Sequence, residues 1–257
     1  GARRGREAAR SRIGMEQHER VITLFPGFRR REVSVTAPFL FRAAELLARV
    51  EPDVSFVLCL SPFVGTASLE QLFSHTRHAA RIDGTAARVE KSAGPLEAIT
   101  TEGIRVRIET VLMYEAMAAS DIAVCTPGPV CAELAYLGVP HVVTAPLNVP
   151  GALAVPGVSP LLCSLPFLGE TFQRRAVDRL KTSSRFVSIV NQRAGRMIAP
   201  EIVGRVRPED VVIPCVELLG EAARRDKMSK ELREAAGLTG AADRVVQAIQ
   251  RVALSQQ

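Results

Sequence analysis

Short apolar runs alternate along most of the chain with longer stretches in which apolar residues recur every three or four positions. Val21-Ile-Thr-Leu-Phe25 is rich in β-branched and aromatic residues, stops at Pro26-Gly27, and reads as a buried strand. From Thr36 the spacing of Phe39, Leu40, Ala43, Ala44 and Leu47 is helical. Val54 to Leu60 is predicted as a second strand, Ala67 to Ala80 as a helix, and Ile104 to Ile108 as a third, alternating strand. A short helix from Tyr114 to Ala119 follows, then the strand Ile122 to Cys125 and a Pro/Gly turn. The helix Val130 to Leu137, stopped by Gly138, leads into the strand His141 to Ala145. Strands separated by helices pair in parallel, so the expected fold is α/β: a doubly wound, mostly parallel sheet flanked by helices. Residues 146–170 hold five prolines and three glycines and read as an irregular, lid-like segment. Helices over 208–219, 222–236 and 241–253 are expected to close over the sheet, which makes 21–257 one domain.

Composition narrows the class. With 47% apolar and 23% charged residues the chain is a core-former, and no stretch approaches the about 18 apolar residues of a membrane-spanning helix. The net charge of +6 is uneven, since Arg3, Arg4, Arg6, Arg10 and Arg12 fall in the first twelve residues. Setting those and Glu7 aside leaves about +2, too little for a nucleic-acid face across the globular part. Residues 1–20 are therefore expected as a basic N-terminal arm, similar in composition to the mature edge of an organellar transit peptide. Such an arm would suit an acidic protein, RNA or anionic lipid, and would allow peripheral membrane association. A bacterial cytoplasmic or inner-membrane location is the alternative to an organelle. Five cysteines without C-x-x-C spacing read as buried thiols in a reducing compartment, so neither a zinc site nor a disulfide scaffold is expected. His75 and His78, three apart, read as a solvated helix face and not as metal ligands.

In an open parallel sheet, ligands lie beyond the carboxyl ends of the strands, where the loops at 26–32 and 126–129 converge. The first carries Arg29, Arg30 and Arg31 after a glycine turn, a set suited to gripping phosphate or carboxylate. The second, Thr126-Pro-Gly-Pro129, opens a helix whose N-terminus favours anions.

These segments also carry a resemblance. Leu24-Phe-Pro-Gly-Phe-Arg29 with Glu32, and Tyr114-Glu-Ala-Met-Ala-Ala-Ser-Asp121, resemble segments of bacterial lipid-A-disaccharide synthases. Gly128 with Glu133, the run Leu137-Gly-Val-Pro-His-Val-Val143, and Phe186 to Arg196 with Pro200-Glu201 are similar to further blocks in the same order. The resemblance implies the carboxy-terminal, donor-binding half of a GT-B glycosyltransferase, a single Rossmann-like unit that grips UDP. By position it implies Arg29 and Arg196 at the diphosphate, Gly128 in the phosphate loop, Glu133 on the ribose hydroxyls and Asn191 at the nucleotide or sugar rim. It implies no metal, no cofactor beyond a UDP-sugar such as UDP-acylglucosamine, and no catalytic residue in this half.

Three departures bear on activity. The family's amino-terminal domain, with the acceptor site and acid/base residues, has no counterpart expected in a chain whose first matched strand comes after about twenty residues. Pro127 and Pro129 replace small hydroxyl residues and remove amide donors from the phosphate loop. Phe28 stands in place of serine, and Ala145-Pro146 in place of tyrosine-arginine. The sequence thus supports a UDP-sugar-binding half that needs a partner half for catalysis. Its alternative is a non-catalytic accessory subunit of a larger organellar assembly, membrane-bound or ribonucleoprotein, with a nucleotide-sugar sensor as a third reading.

Overall fold

The computed structural model describes residues 2–66, 68–74, 80, 82–91, 94–146, 186–237, 240, 245–247 and 249–251. All but Pro146 of the predicted lid over 146–170, together with His75, His78, Cys163 and most of the last predicted helix, lie outside the described residues. Among them, no helix is long and apolar enough to cross a membrane.

The elements run α1 (Ala2–Ile13), β1 (Arg20–Phe25), α2 (Arg30–Val50), β2 (Val54–Cys59), α3 (Leu69–Phe73), β3 (Ala87–Lys91), β4 (Leu96–Thr100) and β5 (Arg105–Glu109). They continue with α4 (Met113–Ala119), β6 (Ile122–Cys125), α5 (Pro129–Leu137), β7 (His141–Pro146), α6 (Ile189–Ala194), β8 (Glu201–Gly204), α7 (Pro208–Gly220) and α8 (Ala222–Ala236). The strands form one sheet in the order β3-β4-β5-β2-β1-β6-β7-β8. From β5 to β8 every pair is parallel, and only the β3–β4 and β4–β5 pairings are antiparallel. The central strands β1, β6 and β7 are buried almost throughout, as strands covered on both faces must be.

Three differences from the sequence reading have local causes. Helix α2 begins at Arg30, six residues before Thr36, where the helical spacing of the sequence starts, because Glu32 folds back onto the amides ahead of it. The β3–β4 hairpin carries no long apolar run, since the edge strand β3 needs little burial: Arg88, Glu90 and Lys91 are charged, and Arg88 and Lys91 are exposed.

The third concerns the basic segment. Residues 2–13 form helix α1, which packs on α4 and contributes Ala9 and Ile13 to the core. Arg10 is buried and donates to Asp121 at 2.8 Å and to the Ala119 carbonyl at 3.0 Å. Arg6 also pairs with Asp121, and Arg12 with Glu115. Asp121 in turn accepts the Val21 amide at 2.8 Å, tying the start of β1 to the start of β6. Three of the arginines expected to await an outside partner are matched by acids of the chain itself.

Candidate functional site

β1 is where the winding reverses. The chain runs from β1 outward to β2 and β5, then returns to the other side of β1 as β6 and continues to β7 and β8. A crevice opens at such a switch point, beyond the carboxyl ends of the two strands. Here those ends are Phe25 and Cys125, which are register partners, and the Thr126 amide donates to the Phe25 carbonyl at 3.3 Å. The turns singled out from the sequence, 26–29 and 126–128, are therefore neighbours.

The first turn is held by its own acid. Glu32 Oε2 accepts the amides of Phe28 at 2.9 Å and Arg29 at 3.2 Å. Gly27 has φ +119°, and a Cβ there would sit 2.8 Å from Glu32 Cβ, so only glycine lets the carboxylate reach its amides. Arg30 is spent on the Val64 carbonyl at 3.2 Å. Arg29 and Arg31 are exposed, and their guanidinium groups have no hydrogen-bond or ion-pair partner among the described residues.

Among the described residues, the second turn has no such acid. The amides leading into α2, α4, α6 and α7 are each held by a carboxylate of the chain: Glu32, Glu109 on residues 110–112, Glu201 on Val187 and Ser188, and Asp210 on Arg207. α5 has neither a side-chain cap nor an acidic residue in its first turn. Gly128, its N-cap, is extended, with open space where a Cβ would be. The helix terminus carries partial positive charge and stands at the same crevice as Arg29 and Arg31, an arrangement electrostatically suited to an anion.

Glu133 is half-buried one turn into α5, where its carboxylate accepts from the Tyr114 hydroxyl of α4 at 3.4 Å. It is placed to accept from hydroxyl groups at the flank of the crevice.

The other two sequence-assigned residues are committed elsewhere. Asn191 is fully buried, donating to the Ala199 carbonyl at 2.7 Å and Glu201 at 2.8 Å, and accepting the amides of Ile198 and Ala199. An amide offers two donors and two acceptor sites, so nothing is left for a ligand, and Asn191 builds the wall instead of lining the rim. Arg196 turns to Glu231 of α8 at 3.1 Å. α8 holds the far end of α5, where Arg233 donates to the Leu137 carbonyl at 2.9 Å.

Sequence reasoning gave no role to Glu201. It begins β8 level with Cys125, through Val143, and holds the segment leading into α6. No spacing signals this, because its partners lie 10 to 14 residues upstream. Also unforeseen is a buried group at the root of the α5 turn, formed by Cys125, Cys131 and His141.

A doubly wound, mostly parallel sheet flanked by helices defines a Rossmann-like domain. In sequence the chain is similar to lipid-A-disaccharide synthases. It is 26% identical to that of Syntrophus aciditrophicus over 236 residues, covering 90% of this chain and 49% of the relative. The Gloeothece citriformis enzyme is 27% identical over 249 residues (95% and 52%), and the Synechocystis enzyme 28% over 256 residues (98% and 53%). The chain thus spans about half the length of the curated relatives it matches. No family model matches. Among solved structures, MurG of Acinetobacter baumannii aligns with a TM-score of 0.46 at 15% identity, over 96% of this chain and 53% of the other.

Proposed function

We propose that this chain is the UDP-sugar-binding part of a lipid-A-disaccharide-synthase-like glycosyltransferase, with the diphosphate seated over the β1–β6 switch point. The carrying observation is the pairing, at one crevice, of unmatched guanidinium groups with the one helix start among α2, α4, α5, α6 and α7 that no carboxylate among the described residues holds. Arg29 grips the diphosphate, the Gly128 turn supplies amides to it, and Glu133 takes the ribose hydroxyls. Arg196 joins them only by releasing Glu231. Group transfer to an acceptor sugar needs acid/base groups that this reading does not assign to the chain, so binding and not turnover is the property to measure.

A second reading, a non-catalytic accessory subunit, is favoured by one feature. Pro127 and Pro129 have no amide hydrogen, and the Cys131 amide already donates to the Gly128 carbonyl at 3.1 Å, which leaves Gly128 and Val130 to face an anion.

Calorimetric titration with UDP and a UDP-acylglucosamine analogue separates the two. The first reading expects micromolar binding, weakened about tenfold or more by Arg29→Ala and about fivefold by Glu133→Ala, as loss of one charge-assisted contact entails. No heat at millimolar UDP overturns it and leaves the accessory reading.

A further inference from the structure

The buried group beneath the α5 turn is independent of nucleotide binding. Cys125 is the last residue of β6, Cys131 lies in the first turn of α5, and His141 opens β7. The β6–β7 register pairs Ala123 with His141, so His141 and Cys125 share the sheet face that α5 crosses. All three are buried, and their ligand atoms lie within 4.8 Å of one another. The geometry points to a site for a thiophilic divalent metal ion of the zinc class, bound by the thiolates of Cys125 and Cys131 and by the imidazole of His141.

Four features support it. The two sulfurs are 3.6 Å apart, against about 3.8 Å for two thiolates bound at about 2.3 Å to one tetrahedral ion. His141 Nδ1 lies 2.9 Å from the Val139 carbonyl and is fixed as the N–H donor, which makes Nε2 the atom with the free lone pair. That Nε2 is buried and has no hydrogen-bond partner among the described residues, a cost that a protein interior seldom leaves unrelieved. Finally, two thiolates, a neutral imidazole and a divalent cation sum to zero charge, which is what a dry interior tolerates.

The surroundings fit such an ion. The Cys131 sulfur also contacts the Thr126 carbonyl at 3.6 Å and the Ser188 hydroxyl, so polar oxygen borders the sulfur pair. Binding releases two thiol protons to solvent and leaves the carbonyl free to turn toward the ion. Its consequence is mechanical: the ion staples the strand before Thr126-Pro-Gly-Pro129, the helix after it and the neighbouring strand β7. Sequence spacing hid the site, because its ligands lie on three elements.

The full chain, stripped with chelator and kept reduced, is titrated with Co(II) and then Zn(II). One Co(II) per chain is expected, with tetrahedral d–d absorption and thiolate-to-cobalt charge transfer that Zn(II) abolishes. Zinc-edge absorption spectroscopy should find two sulfur neighbours and at least one imidazole nitrogen. Cys125→Ser, Cys131→Ser and His141→Gln should each weaken binding at least tenfold, whereas Cys59→Ser should leave it unchanged; circular dichroism checks that each variant is folded. The wild-type spectrum decides the matter even if a variant fails to fold. No Co(II) uptake by the reduced chain, an oxygen-only spectrum, or undiminished binding in a folded Cys131→Ser variant overturns the site.

Discussion

The two ends of the parallel sheet treat arginine in opposite ways. At the end where β1 and β6 begin, Arg10 is 4% exposed, and its hydrogen bonds among the described residues go to Asp121 and to the carbonyls of Glu16, Gln17 and Ala119. At the end where those strands finish, Arg29 and Arg31 are exposed and matched by nothing among the described residues. Burial is the physical difference. A guanidinium taken out of water must be paired, and Asp121, itself only 12% exposed, is placed to do it. A guanidinium left in water carries no such requirement and keeps its donors for a ligand. One end therefore holds the fold together, and the other is held together by Glu32 so that it can hold something else.

Substitutions at each end should separate these roles. The largest effect is expected from Asp121→Ala, which strands Arg10 in the interior and frees the Val21 amide, costing about 3 to 5 kcal/mol in urea unfolding. A loss below about 1 kcal/mol would mean that α1 is not integral. Asn191→Ala should cost about 2 to 3 kcal/mol by leaving the Ala199 carbonyl and the Ile198 and Ala199 amides without their partner. If Asn191→Ala lowers UDP affinity at a temperature where the variant is fully folded, the wall assignment fails. Gly27→Ala should cost about 1 to 2 kcal/mol, because φ +119° and the contact with Glu32 both resist a methyl group. It should weaken UDP as well, since the same carboxylate sets the Arg29 backbone. Arg29→Ala should shift stability by less than about 0.5 kcal/mol, because Glu32 caps backbone amides that truncation leaves intact. Equal losses of stability and UDP affinity there would erase the contrast between the two ends.

Much of the framework was legible because each signal was local. Strands buried on both faces read as short apolar runs, and β6 spans Ile122–Cys125 as its sequence predicts. The glycine and proline turns at 26–27 and 127–129 mark the switch point for the same reason: backbone conformations at a turn are set by the residues in it. What escaped was set by partners distant in the chain. Nothing near Arg10 announces Asp121, 111 residues away, and so a buried ion pair reads in sequence as a free basic arm.

The same limit governs the site. The family resemblance, taken position by position, made Arg29, Glu133, Asn191 and Arg196 equal candidates, since guanidinium, carboxylate and amide all suit a nucleotide. Tertiary structure divided them: Asn191 is saturated, Arg196 is engaged by α8, Glu133 meets only the Tyr114 hydroxyl, and Arg29 has no partner for its guanidinium among the described residues. It also assembled Cys125, Cys131 and His141 from two strands and a helix. Sequence by itself determined the α/β winding and where its turns fall, because periodicity and turn chemistry act over a few residues. Which polar groups remain free to act was decided only by folding, because hydrogen bonds and charges are satisfied by whatever the fold brings within about 3 Å.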